Sequence, residues 1–322
     1  MTANHSGGSI VTEPTGSSPT PPRETAHGDP GPASLGEVSD RSQPGKNRTL
    51  RRALRDPVLL VSGAITLGFV LAGLLAPVLA PHPYEQQDLI NSFAPPLTEG
   101  HLLGTDQLGR DMLSRLMYGV RTSLYVSGVV TVISLIVGMA VGLIAGYFGG
   151  RVDRFASAVI DIAWGLPIIL IAIAVVAILG PGVGSILIGI AIVNWAGFAR
   201  IIRGEVLSLR EREFIEAART SGAGTGRILV RHIMPNTLPP TIVMASFYMG
   251  IVIMAEASLS FIGLGAQPPL PSLGQMVEEG KAYMFHDFRL ILIPGVILAV
   301  IVLCFNQFGD SLRDLLDPRL QR

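Results

Sequence analysis

The sequence predicts an all-α polytopic integral membrane protein with six transmembrane helices. Hydrophobic residues make up 49% of the chain and charged residues only 15%, with a mean hydropathy of +0.50, too apolar for an ordinary soluble domain. Six apolar runs each approach the ~20 residues that cross about 30 Å of hydrocarbon. Arginine is concentrated in alternate connections between those runs, seven of them from Arg200 to Arg231, as cytoplasmic loops require.

Residues 1–50 are rich in Gly, Ser, Pro and Thr and almost free of aliphatic clusters. Such a segment buries too little surface to offset chain entropy, so it reads as a disordered cytoplasmic tail. It lacks the apolar core of a signal peptide. The apolar runs span about 58–80, 122–148, 155–180, 184–199, 237–262 and 290–308. Helix is the expected conformation, because a barrel would show short alternating segments. The third run contains Gly165 and Pro167, which predict a kink; the fourth is short. With both termini inside, Lys46, Arg48, Arg51, Arg52 and Arg55, then Arg151 and Arg154, then the long loop and Arg313, Arg319 and Arg322 face the cytoplasm. Only Arg110, Arg115, Arg121, Lys281 and Arg289 lie outside. The resulting division is a tail (1–50), a first helix with an extracytoplasmic loop (51–119), a core (120–310) containing a cytoplasmic loop (200–236), and a carboxy-terminal tail (311–322).

Net charge is zero, which gives nucleic-acid binding no support. Cys304, the only cysteine, falls in an apolar run and reads as a small buried side chain. The six histidines show no pair at zinc-site spacing, so no metal site is expected. The run Gly222-Ala223-Gly224-Thr225-Gly226-Arg227 follows a helix, not a strand, and lacks the phosphate-loop lysine. No catalytic residue or cofactor is therefore expected in this chain.

The long cytoplasmic loop divides into two short helices. The first covers Leu207 to Ser221 and stops at Gly222, a residue suited to the positive φ after a helix end. Thr225 is the expected cap of the second, which Pro235 ends after Met234. Ile228, Leu229 and Ile233 form an apolar ridge beside Arg227 and Arg231, whose i, i+4 like charges favour an anionic partner. The residues alone leave two occupants open: a docking protein, or anionic lipid headgroups. In the membrane, Gly138, Gly142 and Gly146 make a small-x-x-x-small face for helix packing. Asp161 and Glu256 are expected to face the bundle or a wet pathway, either lining it or serving as packing partners. Asp106, Arg110 and Asp111 lie in a mixed-charge extracytoplasmic segment, readable as a docking surface or as a solvated cap.

Glu216-Ala217-Ala218, three residues, Gly222 and then Pro235 resemble the EAA loop of type I ATP-binding-cassette importer permeases. Leu103-Gly104-Thr105-Asp106, Leu108-Gly109-Arg110-Asp111, Gly146-Tyr147-Phe148-Gly149-Gly150 and the stretch from Glu256 to Gly265 resemble the peptide-permease branch. Pro268-Pro269 and Gly309-Asp310-Ser311-Leu312-Arg313-Asp314 do likewise. The likeness covers most of 51–322 and is closest to the C-type subunit of dipeptide and oligopeptide importers. It implies one amino-terminal helix plus a five-helix core in a bacterial cytoplasmic membrane. It further implies a heterodimer with a second permease, two cytoplasmic ATPases that hold ATP and Mg, and an extracytoplasmic solute-binding protein. On this resemblance Glu216, Ala217, Ala218, Gly222, Arg227, Ile228, Arg231 and Pro235 couple to the ATPase, and Asp106, Arg110 and Asp111 receive the binding protein. Importers of nickel, metal chelates or opine-like solutes share these motifs and stay open as alternatives. A proton-coupled secondary transporter using Asp161 and Glu256 is a rival of another class.

Overall fold

Asp56 opens the first helix by accepting hydrogen bonds from Val58 N (2.9 Å) and Leu59 N (3.2 Å), which satisfies two of the donors a helix start leaves free. The computed structural model describes residues 56–316. The tail read as disordered (1–50) and the last part of the carboxy-terminal tail lie outside the described residues. Helix α1, Pro57–Leu74, ends before the predicted 80, because Pro77 has no amide hydrogen to continue the ladder; a single turn, α2 (Ala76–Leu79), follows.

Helix α3, Met112–Phe148, is 37 residues long, or about 55 Å at 1.5 Å per residue. It begins well before the predicted 122, because the Asp111 carboxylate caps it, accepting from Ser114 N at 2.8 Å. It stops at Gly149, φ +65°, a conformation that suits glycine. The third run is two helices, α4 (Gly150–Gly165) and α5 (Ile168–Leu179), set at 83° to one another. The expected kink is thus a full break. Pro167 pushes Leu166 out of helical geometry (ψ 129°). Helix α6, Val183–Leu209, runs past the predicted 199, so the first part of the 200–236 loop is a continuation of that helix.

Helix α7, Glu213–Thr220, and α8, Thr225–Ile228, form an elbow. A π-helical turn, Leu229–Ile233, joins α8 to α9, Met234–Phe261. Helix α10 (Leu273–Lys281) and α11 (Arg289–Leu316) complete the chain. Five helices or continuous helical stretches are long and apolar enough to span a membrane, and the count rises to six if the bent α4–α5 pair is taken as one broken span. Among the described residues the only β pairing is two isolated bridges.

The α3–α6 pair is the centre of the bundle. A Cβ on Gly138 would lie 2.5 Å from Phe198 Cβ, one on Gly142 2.8 Å from Ala199 O, and one on Gly146 2.7 Å from Val206 Cβ. Small residues let the two backbones meet where lipid supplies no hydrophobic force between helices. Around this seam Val126, Val130, Ala172, Ile186, Ile190, Val252 and Leu259 knit α3, α5, α6 and α9 together. At one end of the bundle Gly182 N donates to Leu264 O (3.2 Å) and Arg110 reaches Glu279. The opposite end carries the α3–α4 corner and the elbow, where Arg210 Nη1 donates to Gly146 O at 3.0 Å.

Candidate functional site

Helix α7 closes on Gly222 (φ +79°). Gly222 N donates to Arg219 O and Ala223 N to Ala218 O, both at 3.0 Å, the paired bonds of a Schellman ending. Chain direction therefore reverses over very few residues, and α8 starts at once. Gly224, not Thr225, holds the capping position, and Thr225 is the first helical residue.

Pro235 does not end the second short helix. It sits in the first turn of α9, where a missing amide hydrogen is tolerated, and helical backbone continues from Thr225 to Phe261. The apolar ridge is also divided. Ile228 and Ile233 are buried with Ile215, Phe198, Ile202, Val206, Leu209 and Tyr248, so they anchor the elbow to the bundle and cannot touch a partner. Val230, 60% exposed, and Phe214, 40% exposed, are the large apolar groups the elbow offers outward. Glu216, Ala217, Gly222, Arg227, Arg231 and Pro235 are exposed and Ala218 is half-buried. Arg219 stacks over the Tyr147 ring at 5.5 Å, pinning α7 to the end of α3.

Asp161 on α4 accepts a hydrogen bond from Arg200 Nη2 at 2.7 Å. The pair is open, with side chains 67% and 46% exposed, and Arg200 lies over Trp164 at 5.3 Å. One helical turn away Arg203 holds Asp153 through two hydrogen bonds, Nε to Oδ1 at 2.5 Å and Nη2 to Oδ2 at 2.8 Å. Glu256 is instead internal, 2% exposed, and accepts from Ser123 Oγ and Ser260 Oγ, each at 2.7 Å. It joins α9 to α3. Asp161 and Glu256 share no hydrogen-bond partner.

The charged trio expected to be extracytoplasmic is enclosed. Asp106, Arg110 and Asp111 are 1%, 5% and 2% exposed. Asp106 Oδ2 receives Arg110 Nε (2.7 Å) and Arg115 Nη1 (2.6 Å), and Glu279 on α10 receives Arg110 Nη2 at 2.8 Å. Buried charges need such partners. These residues brace that end of the bundle, and the three side chains expected to receive a binding protein are enclosed and not offered outward. What the sequence spacing missed entirely is the approach of His82, His101 and Asp111, whose nitrogen and oxygen atoms lie within 4.8 Å of one another. They are spread along the single connection between α2 and α3, and only its folding brings them together.

Residues 138–322 match the family described as binding-protein-dependent transport system inner membrane component. Residues 47–96 match the N-terminal TM domain of oligopeptide transport permease C. The chain is 42% identical to the dipeptide transport system permease protein of Alkalihalophilus pseudofirmus, over 83% of this chain and 88% of that one. It is 38% identical to the glutathione transport system permease protein of Pectobacterium atrosepticum, over 84% and 90%. Its fold resembles the inward-facing MetNI methionine ABC transporter, with a TM-score of 0.53 at 20% identity, covering 63% of this chain and 97% of that one. These matches, with the spanning helices and the elbow between α6 and α9, establish the chain as a member of the binding-protein-dependent transport system inner membrane components, an ABC importer permease of the type I fold.

Proposed function

We propose that this chain forms half of the translocation pathway of an importer for dipeptides and short oligopeptides, paired with a second, different permease. The observation that carries the coupling part of this reading is the exposed elbow, held by buried Ile228 and Ile233 while Glu216, Arg227, Val230 and Arg231 face outward. Peptide as solute is supported by relatives named for dipeptide, glutathione and di/tripeptide transport.

On this reading two ATPase subunits bind ATP and Mg and grip the elbows of the two permeases from the cytoplasm. Both chain termini lie on that side. Nucleotide-driven closure of the ATPases moves the elbows, and the bundle changes from inward-open to outward-open. A partner that held both states equally would shift nothing, so the grip must differ between them. A solute-binding protein docks at the opposite end, on exposed apolar groups such as Ile90, Leu97 and Phe285, which are 94%, 82% and 96% exposed. Asp161 and Arg200 face the pathway, where an open ion pair in a spanning helix finds water.

The test is reconstitution of the assembled importer in proteoliposomes with its binding protein. Accumulation of a labelled dipeptide that needs ATP is expected. Uptake driven by a pH gradient without ATP would reject the coupling reading, and ATP-driven uptake of nickel but no peptide would reject the solute.

A further inference from the structure

The geometry points to a resident divalent-cation site of the zinc class at the outer end of the bundle, made by His82, His101 and Asp111. It stands on the side chains alone and is independent of the solute this chain moves. His101 Nδ1 lies 2.9 Å from Asp111 Oδ1 and His82 Nδ1 lies 4.0 Å from the same oxygen. Both imidazoles thus turn the same ring atom toward one carboxylate oxygen. The rings stack with centroids 4.7 Å apart.

Asp111 and His82 are held from behind, as metal ligands require. Asp111, 2% exposed, has its second oxygen fixed by Ser114 N at 2.8 Å. Ser114 Oγ in turn accepts from His82 N at 3.1 Å, which ties the His82 backbone to the same first turn of α3. The His82 ring packs over Gly100, where a Cβ would stand only 3.7 Å from Cε1.

His82 Nδ1 is the atom that ordinary hydrogen bonding leaves unexplained. It is buried and has no hydrogen-bond partner among the described residues. A buried nitrogen without a partner is unfavourable. A cation bridging the three ligand atoms would satisfy it. Zinc binds imidazole nitrogen and carboxylate oxygen at about 2.0–2.2 Å, so the His82 ring would have to shift toward a bound ion. On binding, His101 keeps its proton on Nε2 and offers Nδ1 to the metal. The side chain of His82 is 31% exposed and that of His101 14%, so solvent reaches the edge of the cluster. Two imidazoles with one carboxylate favour zinc, copper or nickel over magnesium or calcium.

The experiment is calorimetric titration of zinc into the full-length chain, purified in detergent and stripped with a chelator, alongside His82→Asn and His101→Asn. His82→Asn leaves the His101–Asp111 hydrogen bond and the helix cap intact, so its metal-free melting temperature should match the unsubstituted chain. We expect one saturable equivalent in the unsubstituted chain and affinity lowered about tenfold or more in each variant. Zinc should also raise the melting temperature of the unsubstituted chain and not of His82→Asn. No saturable equivalent, or an equivalent that persists in His82→Asn with unchanged affinity, overturns the assignment.

Discussion

Ile228 is buried beside Ile215 and Phe198 while Arg227, its neighbour in the same turn, is exposed. One residue holds the elbow to the bundle and the next faces outward. Anchoring and docking are therefore separable by mutation. Ile228→Ala removes a buried branched side chain and should cost about 2–5 kcal/mol of local stability. Arg227→Glu should leave the thermal midpoint unchanged and reduce solute-stimulated ATP hydrolysis by the assembled importer. Melting curves and ATPase assays on the two variants check the split, and equal loss of stability in both would refute it.

The glycine seam makes a second test. Gly142→Leu places its Cβ 2.8 Å from Ala199 O before the rest of the side chain is counted. Overpacking of this kind costs about 1–3 kcal/mol or more. We expect a lower melting temperature and a reduced yield of monodisperse protein in detergent. Gly128→Leu, on the same helix with nothing within 4 Å, is the control and should behave as the unsubstituted chain.

The Asp161–Arg200 pair is open, so its contribution to stability is about 0–1 kcal/mol. Arg200→Ala should therefore melt normally. Its effect should appear in peptide uptake, reduced severalfold with ATP hydrolysis retained. Unchanged uptake would remove the pair from the pathway.

Glu256 makes the opposite prediction. Glu256→Ala strips an acceptor from Ser123 and Ser260 and should destabilise by about 1–3 kcal/mol. Glu256→Gln keeps one oxygen acceptor and should lose less. A thermal shift series across the three forms ranks them.

In the turn before α11, burial raises the Asp287 carboxyl, but hydrogen bonds from Arg289, its charge and that of His286 outweigh burial and hold the group below its ordinary value. Because the folded value is depressed, the stabilisation is present above the ordinary aspartate range, near pH 3.9, and is lost as pH falls through the lower folded value. Asp287→Asn should lower the melting temperature at pH 7 and bring no further loss at low pH. The difference between the two melting profiles should narrow below about pH 4.

The spans were legible because apolar composition over about 20 residues has one physical solution in lipid. Their ends were not. Helix α6 passes 199 because Asp161 and Asp153 on α4 accept Arg200 and Arg203, and no local pattern announces partners 39 and 50 positions away. Pro235 was misread because proline stops a helix from within yet suits its first turn. Asp106 and Arg110 looked solvated because Glu279, which completes their charge balance, is 169 positions from Arg110. The elbow was legible as a motif, but its inner and outer faces required the positions of Phe198 and Tyr248.

From Thr225 to Phe261 the backbone is helical throughout, with the π turn at Leu229–Ile233 as a single widened coil. The foot and shaft are thus one continuous helical stretch of 37 residues, with Pro239 and Pro240 inside it as the points where the backbone ladder lacks donors. At its far end Ser123, Glu256 and Ser260 tie that stretch to α3, so on the proposed reading a displacement of the elbow would travel along one helix toward that clasp.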